Sequence, residues 1–410
     1  MKSQRSYPAL TVTRKAQAAL EAGHPWVYDA EVKTATDGIE NGGLVDVVSE
    51  KDAYLGTGML SQKSKIRVRL LSRNANDTFD DRWLERRVRY AWDYRKTVLA
   101  PQDRTACRVI FGEADGFPGL TVDRYGDILV TQTLSIGMEA LKARLFPILY
   151  KVLTDDGQTV SGIYERNDVA LRELEGLQQG KGWFPLEGLP APQSCITTIV
   201  ENGVEYEVDV ENGQKTGFFL DQKFNRRAVA ALSEGKTVLD CFTHTGSFAL
   251  NAARGGAKRV TAVDVSESAV EMAQKNAARN GFLDRMDFKV ANVLDLLPQM
   301  LQNGGSPYDF IILDPPAFTK SRKTVEGAQR GYKEINCTAM RLLPRGGYLA
   351  TCSCSHFMTE ALFSKMLVSA ARDAGVSLRQ IEARQQAPDH PILWNVPETD
   401  YLKFYLFQVV

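Results

Sequence analysis

Residues 237–264 read TVLDCFTHTGSFALNAARGGAKRVTAVD: an apolar run, a turn with one glycine, a helical stretch and a second apolar run that ends in an acid. This order predicts a β-strand, an α-helix and a parallel β-strand joined by a right-handed crossover. Gly246 allows the backbone to approach a ligand closely at the start of the helix. Asp264 ends the second strand, where an acid binds both hydroxyl groups of a ribose. We therefore predict an open α/β sheet with a ribose-containing ligand at this edge.

Three further strands are predicted in the same half of the chain, and all of them end in polar side chains. They span residues 288–292, 310–314 and 348–352. Open α/β sheets bind their ligands at the carboxyl ends of the strands, so these side chains are expected to share one site. A single glycine is a weak fingerprint beside the G-x-G-x-x-G pattern of dinucleotide-binding proteins. The sheet as a whole therefore favours S-adenosylmethionine over NAD.

Two short motifs at these strand ends carry reactive groups. Asp314 begins the segment DPPAF, and Cys352 and Cys354 lie within TCSCS at 351–355. The first motif puts a carboxylate and rigid prolines at one strand end, and the second puts a thiol at the next. This pairing predicts methyl transfer to a pyrimidine carbon, because C5 of cytosine becomes nucleophilic only after a thiolate has added to C6. Spacing alone leaves either cysteine open as the nucleophile.

Composition indicates an ordinary globular protein rather than a disordered or membrane-spanning one. The chain has 410 residues, 44% hydrophobic and 24% charged, with a formal net charge of +0. This balance offers no evidence for nucleic-acid binding, so such evidence has to come from local patches. The polar start MKSQR is not a signal peptide, and we expect a soluble cytoplasmic protein. The six cysteines lack C-x-x-C spacing, so neither a metal site nor a disulfide framework is indicated.

Residues 1–73 show short strands and turns and predict a small β-rich domain. In its last predicted strand, Lys63, Lys65, Arg67 and Arg69 share one parity, so all four cations are expected on one side of an extended strand. A row of cations about 7 Å apart suits contacts with phosphates. A solvated outer face is the alternative interpretation of the same pattern.

The middle of the chain, residues 74–190, predicts a helix, a hairpin and another helix. The segments 120–124 and 128–132 flank the turn sequence Tyr125-Gly126-Asp127. A second hairpin is predicted around Asn202-Gly203 and leads into the alternating strands and helices of residues 191–410. The expected fold is therefore an α/β multidomain protein with an N-terminal β-rich domain, a central α+β domain and a C-terminal Rossmann-like domain.

Over essentially its whole length the chain resembles the RlmI-like methyltransferases, which place a methyl group on C5 of a cytosine in 23S rRNA. The matching segments are QKTGFFLDQ (214–222), CFTHTG (241–246), Asp264, the Asp314 motif, GYKE (331–334) and the Cys354 motif. The resemblance implies an N-terminal PUA-like RNA-binding barrel, a central α+β domain and a Rossmann-like methyltransferase domain that uses S-adenosylmethionine. One departure is Asn292, where the family has aspartate, and there we expect altered cofactor affinity rather than loss.

The resemblance also implies roles for individual residues. It favours Cys354 over Cys352 as the nucleophile, with Asp314 at the N3/N4 edge of the base. The predicted cofactor-binding residues are Phe242, Thr245, Gly246, Asp264, Asn292, Asp314 and Gln222. The predicted RNA-binding residues are Lys63, Lys65, Arg67, Arg69, Lys320 and Tyr332. Phe318 is interpreted either as a platform for a flipped base or as a core residue.

Two other functions remain open at this stage. A methyltransferase acting on a base nitrogen, such as guanine N7, needs no thiol, because the nitrogen lone pair attacks the sulfonium directly. A non-catalytic RNA-binding assembly factor is mildly favoured by Asn292 alone and disfavoured by Asp264, Asp314 and Cys354. The expected partner is large-subunit rRNA or its assembly intermediate, with no membrane. The sequence leaves the oligomeric state open, a homodimer being one alternative.

Overall fold

The computed structural model describes residues 7–319 and 321–410, apart from the side chain of Arg322. The chain forms two compact units. The first contains the chain up to Ile199 together with Val208–Leu220 and Pro388–Thr399, and the second contains Val200–Glu207, Asp221–Ala387 and Asp400–Val410. The expected division into three domains, 1–73, 74–190 and 191–410, stays a prediction.

A six-stranded sheet forms the beginning of the first unit. Its strands are β1 (Ala9–Val12), β2 (Trp26–Tyr28), β3 (Val32–Ala35), β4 (Leu44–Val48), β5 (Tyr54–Leu60) and β6 (Ile66–Ser72), in the spatial order β2-β6-β5-β4-β1-β3. Helix α1 (Arg14–Glu21) begins at Thr13, whose side chain accepts from the backbone of Ala16. Alternating side chains such as Val45, Val47 and Val68 fill the core of this sheet. The predicted β-rich N-terminal fold is confirmed.

A five-stranded sheet and two long helices follow in the same unit. The elements are α2 (Asp81–Val98), β7 (Ala106–Phe111), β8 (Leu120–Tyr125), β9 (Ile128–Thr133), α3 (Ile136–Asp155), β10 (Gly162–Arg166) and β11 (Lys181–Phe184), with the strands in sequence order across the sheet. The β8–β9 hairpin turns at Gly126 and Asp127, as the sequence predicts. The second predicted hairpin joins β12 (Ile196–Glu201) to β13 (Val204–Asp209) through Asn202 and Gly203, both at positive φ.

A seven-stranded sheet forms the second unit, in the order β16-β15-β14-β17-β18-β20-β19. Its strands are β14 (Thr237–Cys241), β15 (Arg259–Asp264), β16 (Met286–Val290), β17 (Phe310–Leu313), β18 (Tyr348–Ser353), β19 (Leu378–Arg384) and β20 (Lys403–Val409). Its helices are α4 (Lys223–Ala231), α5 (Ser247–Arg254), α6 (Glu267–Arg279), α7 (Val293–Gln302), α8 (Val325–Leu342) and α9 (Glu360–Ala374).

The strand directions give this sheet its functional edge. β14 to β18 are parallel, whereas β20 is antiparallel to both β18 and β19. The chain order reverses between β14 and β17, which lie side by side although β15 and β16 intervene in the sequence. A ligand crevice is expected outside the carboxyl ends of the strands at such a switch point. The Rossmann-like prediction is confirmed, and the candidate site is expected at this switch point.

None of the helices in the described part of the chain is both long and apolar enough to cross a membrane.

Candidate active site

Four predicted residues form a row across the carboxyl edge of the parallel strands. In the strand register, Leu313 pairs with Cys241 on one side and with Thr351 on the other. One residue further along, Asp314 therefore lies between Phe242 and Cys352, and Asp264 ends the next strand beyond Phe242. Neighbouring strands are about 4.8 Å apart, so these groups line one continuous rim.

The turn after β14 has an unusual backbone. Phe242 and His244 have φ values of 65° and 51°, and Gly246 has 85°. Left-handed conformations cost non-glycine residues about 1–3 kcal/mol each and persist only where the surroundings hold them. Here the buried carboxylate of Asp240 holds the turn, because one of its oxygens accepts from Thr243 Oγ1 at 2.6 Å and from the backbone of Ala249 at 2.9 Å.

Asp264 is fixed by the same turn. One carboxylate oxygen accepts from the backbone N–H of His244 at 2.9 Å, and the other accepts from that of Ser266 at 3.0 Å. Each carboxylate oxygen can accept a second hydrogen bond. The side chain is thus held at the strand end with acceptor capacity to spare, which suits the two hydroxyl groups of a ribose.

Two buried polar atoms in this turn lack a hydrogen-bond partner among the described residues. They are Thr245 Oγ1 and Asp240 Oδ1. Buried polar groups are nearly always satisfied, so unpartnered ones beside a ligand crevice indicate atoms that a ligand contacts. With the ribose-binding position of Asp264, they fit S-adenosylmethionine.

Asn292 has a structural role that the sequence analysis did not anticipate. It is the exposed N-cap of α7, where its side-chain oxygen accepts from the backbone of Leu294 at 3.1 Å and its amide donates to Asp295 at 2.8 Å. Asparagine is among the best N-cap residues. Its predicted role in cofactor binding stays a prediction, and the cap explains why an amide serves at this position.

Asp314 is oriented by an amide relay. Gln222 Nε2 donates to Asp314 Oδ1 at 3.1 Å, and Asn225 Nδ2 donates to the oxygen of Gln222 at 2.6 Å, which fixes the direction of the amide. The thiol of Cys352 also hydrogen-bonds to the carboxyl group. Burial, reinforced by the nearby charge of Asp221, raises the pKa of Asp314 to about 7. This carboxyl group therefore exists in both protonation states near neutral pH.

The two candidate cysteines lie in different environments. Cys352 belongs to β18, is 0% exposed, and burial raises the pKa of its thiol well above the ordinary value. Cys354 follows the strand and is only partly buried. Burial, together with the charges of Asp314 and Asp221, raises the pKa of the Cys354 thiol to about 12, and Lys403 opposes this shift. Of the two thiols, Cys354 is the one that a substrate can reach.

The aromatic groups around the thiols form a packed wall. Tyr332 is 0% exposed, its ring lies 4.6 Å from that of Phe318, and its hydroxyl accepts from Ser353 at 3.1 Å. Tyr332 is thus enclosed, and its predicted contact with RNA stays a prediction. Phe318 is partly buried and packs against Tyr332. Tyr332 therefore supports Phe318 and the segment that precedes Cys354.

The predicted row of four cations in the first unit is not formed, because β6 begins only at Ile66. Lys63 and Lys65 lie in the preceding turn and are exposed. Arg67 pairs with Asp29, and Arg69 pairs with Glu175 at 2.8 Å. The serines at 61 and 64 organise the turn through their side-chain oxygens, which explains the late start of the strand. Lys320 lies outside the described residues.

Three residues of the site were missed by the sequence analysis. Asp240 holds the cofactor turn, Asp221 acts on Asp314, and Lys403 acts on Cys354. Asp240 and Lys403 are charged residues within otherwise apolar strands, which is a signal available in the sequence. Asp221 gave no such signal, because its proximity to Asp314 depends on the tertiary fold.

Comparison with known proteins shows the family of the chain. Residues 186–408 match the profile of an S-adenosylmethionine-dependent methyltransferase family, and residues 10–73 match a PUA-like domain. The chain is 36% identical over 405 residues to the ribosomal RNA large subunit methyltransferase I of Klebsiella pneumoniae (strain 342), covering 98% of this chain and 99% of that protein. It is 40% identical over 393 residues to that of Aliivibrio fischeri (strain ATCC 700601 / ES114), covering 96% and 97%.

Solved structures share the fold. A candidate S-adenosylmethionine-dependent methyltransferase from Streptococcus mutans is 24% identical with a TM-score of 0.80, covering 98% of this chain and 100% of that one. A second structure, a candidate methyltransferase in complex with S-adenosylhomocysteine, is 23% identical with a TM-score of 0.81 at the same coverage. The chain therefore belongs to the ribosomal RNA large subunit methyltransferase I family, and it joins a PUA-like domain to a methyltransferase domain that uses S-adenosylmethionine.

Proposed function

We propose that this protein methylates C5 of a cytosine in large-subunit rRNA through a covalent adduct between Cys354 and C6 of the base. The observation that carries the proposal is the pair of groups at the ends of β17 and β18. Asp314 has a pKa raised to about 7, and Cys354 lies partly exposed two residues beyond Cys352, which hydrogen-bonds to Asp314. Transfer to a base nitrogen requires no such thiol. The substrate class follows the names of the relatives.

The thiol solves a chemical problem set by the substrate. C5 of cytosine is a poor nucleophile, and addition of the Cys354 thiolate to C6 makes it enamine-like. When bound, S-adenosylmethionine supplies the methyl group that C5 then accepts. The C5 proton leaves as a base takes it, and the electron pair of the C5–H bond expels the Cys354 thiolate from C6. The base remains unassigned among the residues of this site.

Asp314 assists the addition step. Negative charge accumulates at N3 as the thiolate adds to C6, so a proton or strong hydrogen bond at N3 lowers the barrier. A carboxyl group with a pKa of about 7 is protonated often enough at neutral pH to donate that proton. Because Gln222 donates to Oδ1, the proton is expected on Oδ2, directed to the base. The relay from Asn225 thus sets which oxygen of Asp314 faces the substrate.

Burial separates the roles of the two cysteines. Cys352 is enclosed in the strand and acts on Asp314 through its thiol. Buried thiols in apolar surroundings are generally inert, whereas a nucleophile has to be reached by its target. Cys352 is therefore assigned a supporting role and Cys354 the nucleophilic one.

The test compares wild-type protein with Cys354→Ala and with Cys352→Ala as the matched control. Each is incubated with methyl-labelled S-adenosylmethionine and undermethylated large-subunit RNA, and the RNA is digested to nucleosides for mass spectrometry. We expect label in 5-methylcytidine, abolished by Cys354→Ala and reduced but retained in Cys352→Ala. Label on a nitrogen, or activity that survives Cys354→Ala, would contradict the proposal. RNA and cofactor binding without any label would favour a non-catalytic assembly role.

The cellular setting follows from this substrate. We expect the protein to act in the cytoplasm, on large-subunit rRNA or an assembly intermediate of the subunit. Parallel assays on naked RNA and on precursor particles distinguish these two substrates.

A further inference from the structure

The last strand of the sheet begins with a buried lysine beside the loop that carries Cys354. Lys403 is 6% exposed and pairs with Ser353 in the register between β20 and β18. The rest of β20 reads FYLFQV and is largely apolar. Lysine is almost never fully buried without a partner. We therefore expect the positive charge of Lys403 to interact with a group in the neighbouring loop.

The contacts of Lys403 are made to backbone oxygens. Its Nζ donates to Ser355 O at 2.7 Å and to Tyr401 O at 2.9 Å. An ammonium has three N–H groups, and the third has no hydrogen-bond partner within residues 7–319 and 321–410. Asp400 and Glu360 act on Lys403 through space and not through hydrogen bonds. One donor of a buried cation is thus left available next to Cys354.

The same loop is held from its other side. Ser355 Oγ donates to Thr319 O at 2.9 Å, which ties the loop to the segment that begins at Asp314. Ser353 donates to the hydroxyl of Tyr332 at 3.1 Å. Cys354 therefore lies between two anchored serines, and Lys403 provides the anchor on the side of β20.

The charges around the thiol oppose one another. Asp314 and Asp221 both disfavour a thiolate at Cys354, as does burial, whereas Lys403 favours it. Burial is the largest effect on Lys403 and lowers the pKa of its ammonium group. The charges of Asp400, Cys354 and Glu360 partly offset burial, and the resulting pKa is about 8. Lys403 thus remains largely protonated at neutral pH, and its positive charge is what favours the thiolate against these carboxylates.

We propose that Lys403 is a positioning residue for the nucleophile, which holds the 353–355 loop through Ser355 and serves as the counter-ion of the Cys354 thiolate. In forming the ion pair, the S–H bond of Cys354 breaks, the proton passes to water and the electron pair stays on Sγ. The description of Cys354 as a nucleophile rests on the proposed function, but the coupling between Lys403 and the thiol does not. The coupling can therefore be tested without RNA or methyl transfer.

The experiment measures alkylation of Cys354 by iodoacetamide as a function of pH in the full-length protein, with the modified peptide quantified by mass spectrometry. Iodoacetamide reacts with the thiolate, so the rate reports the thiolate fraction. Lys403→Met removes the charge and keeps the length, and Lys403→Arg keeps the charge. Lys258→Met, at an exposed lysine in the turn before β15, is the control for loss of a positive charge. Cofactor binding by calorimetry verifies that each variant is folded.

We expect Lys403→Met to slow alkylation of Cys354 about two- to threefold near neutral pH, since loss of the cation raises the pKa of the thiol and so lowers its thiolate fraction. Lys403→Arg should retain most of the wild-type rate, and Lys258→Met all of it. An unchanged rate in Lys403→Met, or equal slowing in Lys403→Met and Lys403→Arg, would overturn the counter-ion role. Should Lys403→Met not fold, Lys403→Gln replaces it in the same comparison. Failure of the proposed function would appear separately, as methylation that survives Cys354→Ala.

Discussion

RNA affinity should depend on the two lysines of the turn before β6 and not on the arginines of the strand. Lys63 and Lys65 are exposed and have no ion-pair partner within the described residues. Arg67 is engaged with Asp29 and Arg69 with Glu175. A cation that is already paired with a carboxylate attracts a phosphate less strongly, because the carboxylate offsets its positive charge. The double substitution of Lys63 and Lys65 to alanine is therefore the informative perturbation.

The expected effect is a change in salt dependence. Each phosphate contact contributes about 0.7 to 0.9 to the slope of log affinity against log salt. Removing two contacts should therefore lower the slope by about 1.4 to 1.8. Between 50 and 200 mM salt, the wild type should then lose roughly seven to twelve times more affinity than the variant. Fluorescence anisotropy with a labelled large-subunit RNA fragment, titrated at four salt concentrations, measures both slopes.

The matched control is Arg67→Ala, which removes a cation of the same surface that is already paired with Asp29. Its slope should equal that of the wild type. If Arg67→Ala lowers the slope as much as the double substitution of Lys63 and Lys65 does, Arg67 contacts RNA in spite of its ion pair with Asp29, and the reasoning fails. If neither variant changes the slope, RNA does not contact this face.

Three other predictions concern the second unit. Gly246 has a φ of 85°, and an added Cβ would lie 3.0 Å from Ala273 Cβ, so Gly246→Ala should weaken cofactor binding at least tenfold by calorimetry. Gly281 has a φ of 70° and open space around it, so Gly281→Ala should cost about 1–2 kcal/mol of stability but leave the cofactor affinity intact. Arg226→Met leaves its buried partner Glu201 unpaired and should destabilise this unit by about 3–5 kcal/mol in urea denaturation, whereas Arg259→Met at an exposed pair should have little effect. Burial raises the pKa of Asp240 from 3.8 to about 7, so between these pH values the native state binds more protons than the unfolded state, and the free energy of unfolding falls as pH rises. Asp240→Asn should flatten the dependence of the free energy of unfolding on pH in this range. An unchanged dependence would contradict the assignment.

The parallel sheet could be predicted from the sequence because its signals are local. The apolar runs before Asp264 and Asp314, the turn at Gly246 and the hairpin at Asn202 each specify an element through a few neighbouring residues. The strand ends then had to meet at one edge, which follows from parallel pairing.

The features that the sequence analysis did not anticipate depend on distant partners. Nothing near Arg69 in the sequence reveals that Glu175 neutralises it, and nothing near Tyr332 reveals that Phe318 and Phe363 enclose it. The same holds for Lys403, whose role arises because antiparallel β20 brings its first residue opposite Ser353. Alternating charge in a segment does not determine which cations remain free after folding.

The carboxylates at the switch point predict a preference of the candidate site for a positively charged cofactor. Asp240 is buried and Asp314 is partly buried. Burial is the main cause that raises the pKa of each to about 7; the charges of Asp314 and Asp264 add to the shift of Asp240, and that of Asp221 adds to the shift of Asp314. Such a group of acids is unfavourable when several are ionised, and a positive charge among them relieves the repulsion. S-adenosylmethionine carries a positive sulfonium, whereas the product that remains after methyl transfer has lost it. We therefore expect these acids to favour binding of the methyl donor over its product, which competitive binding of S-adenosylmethionine and S-adenosylhomocysteine to wild-type protein and to Asp314→Asn would measure.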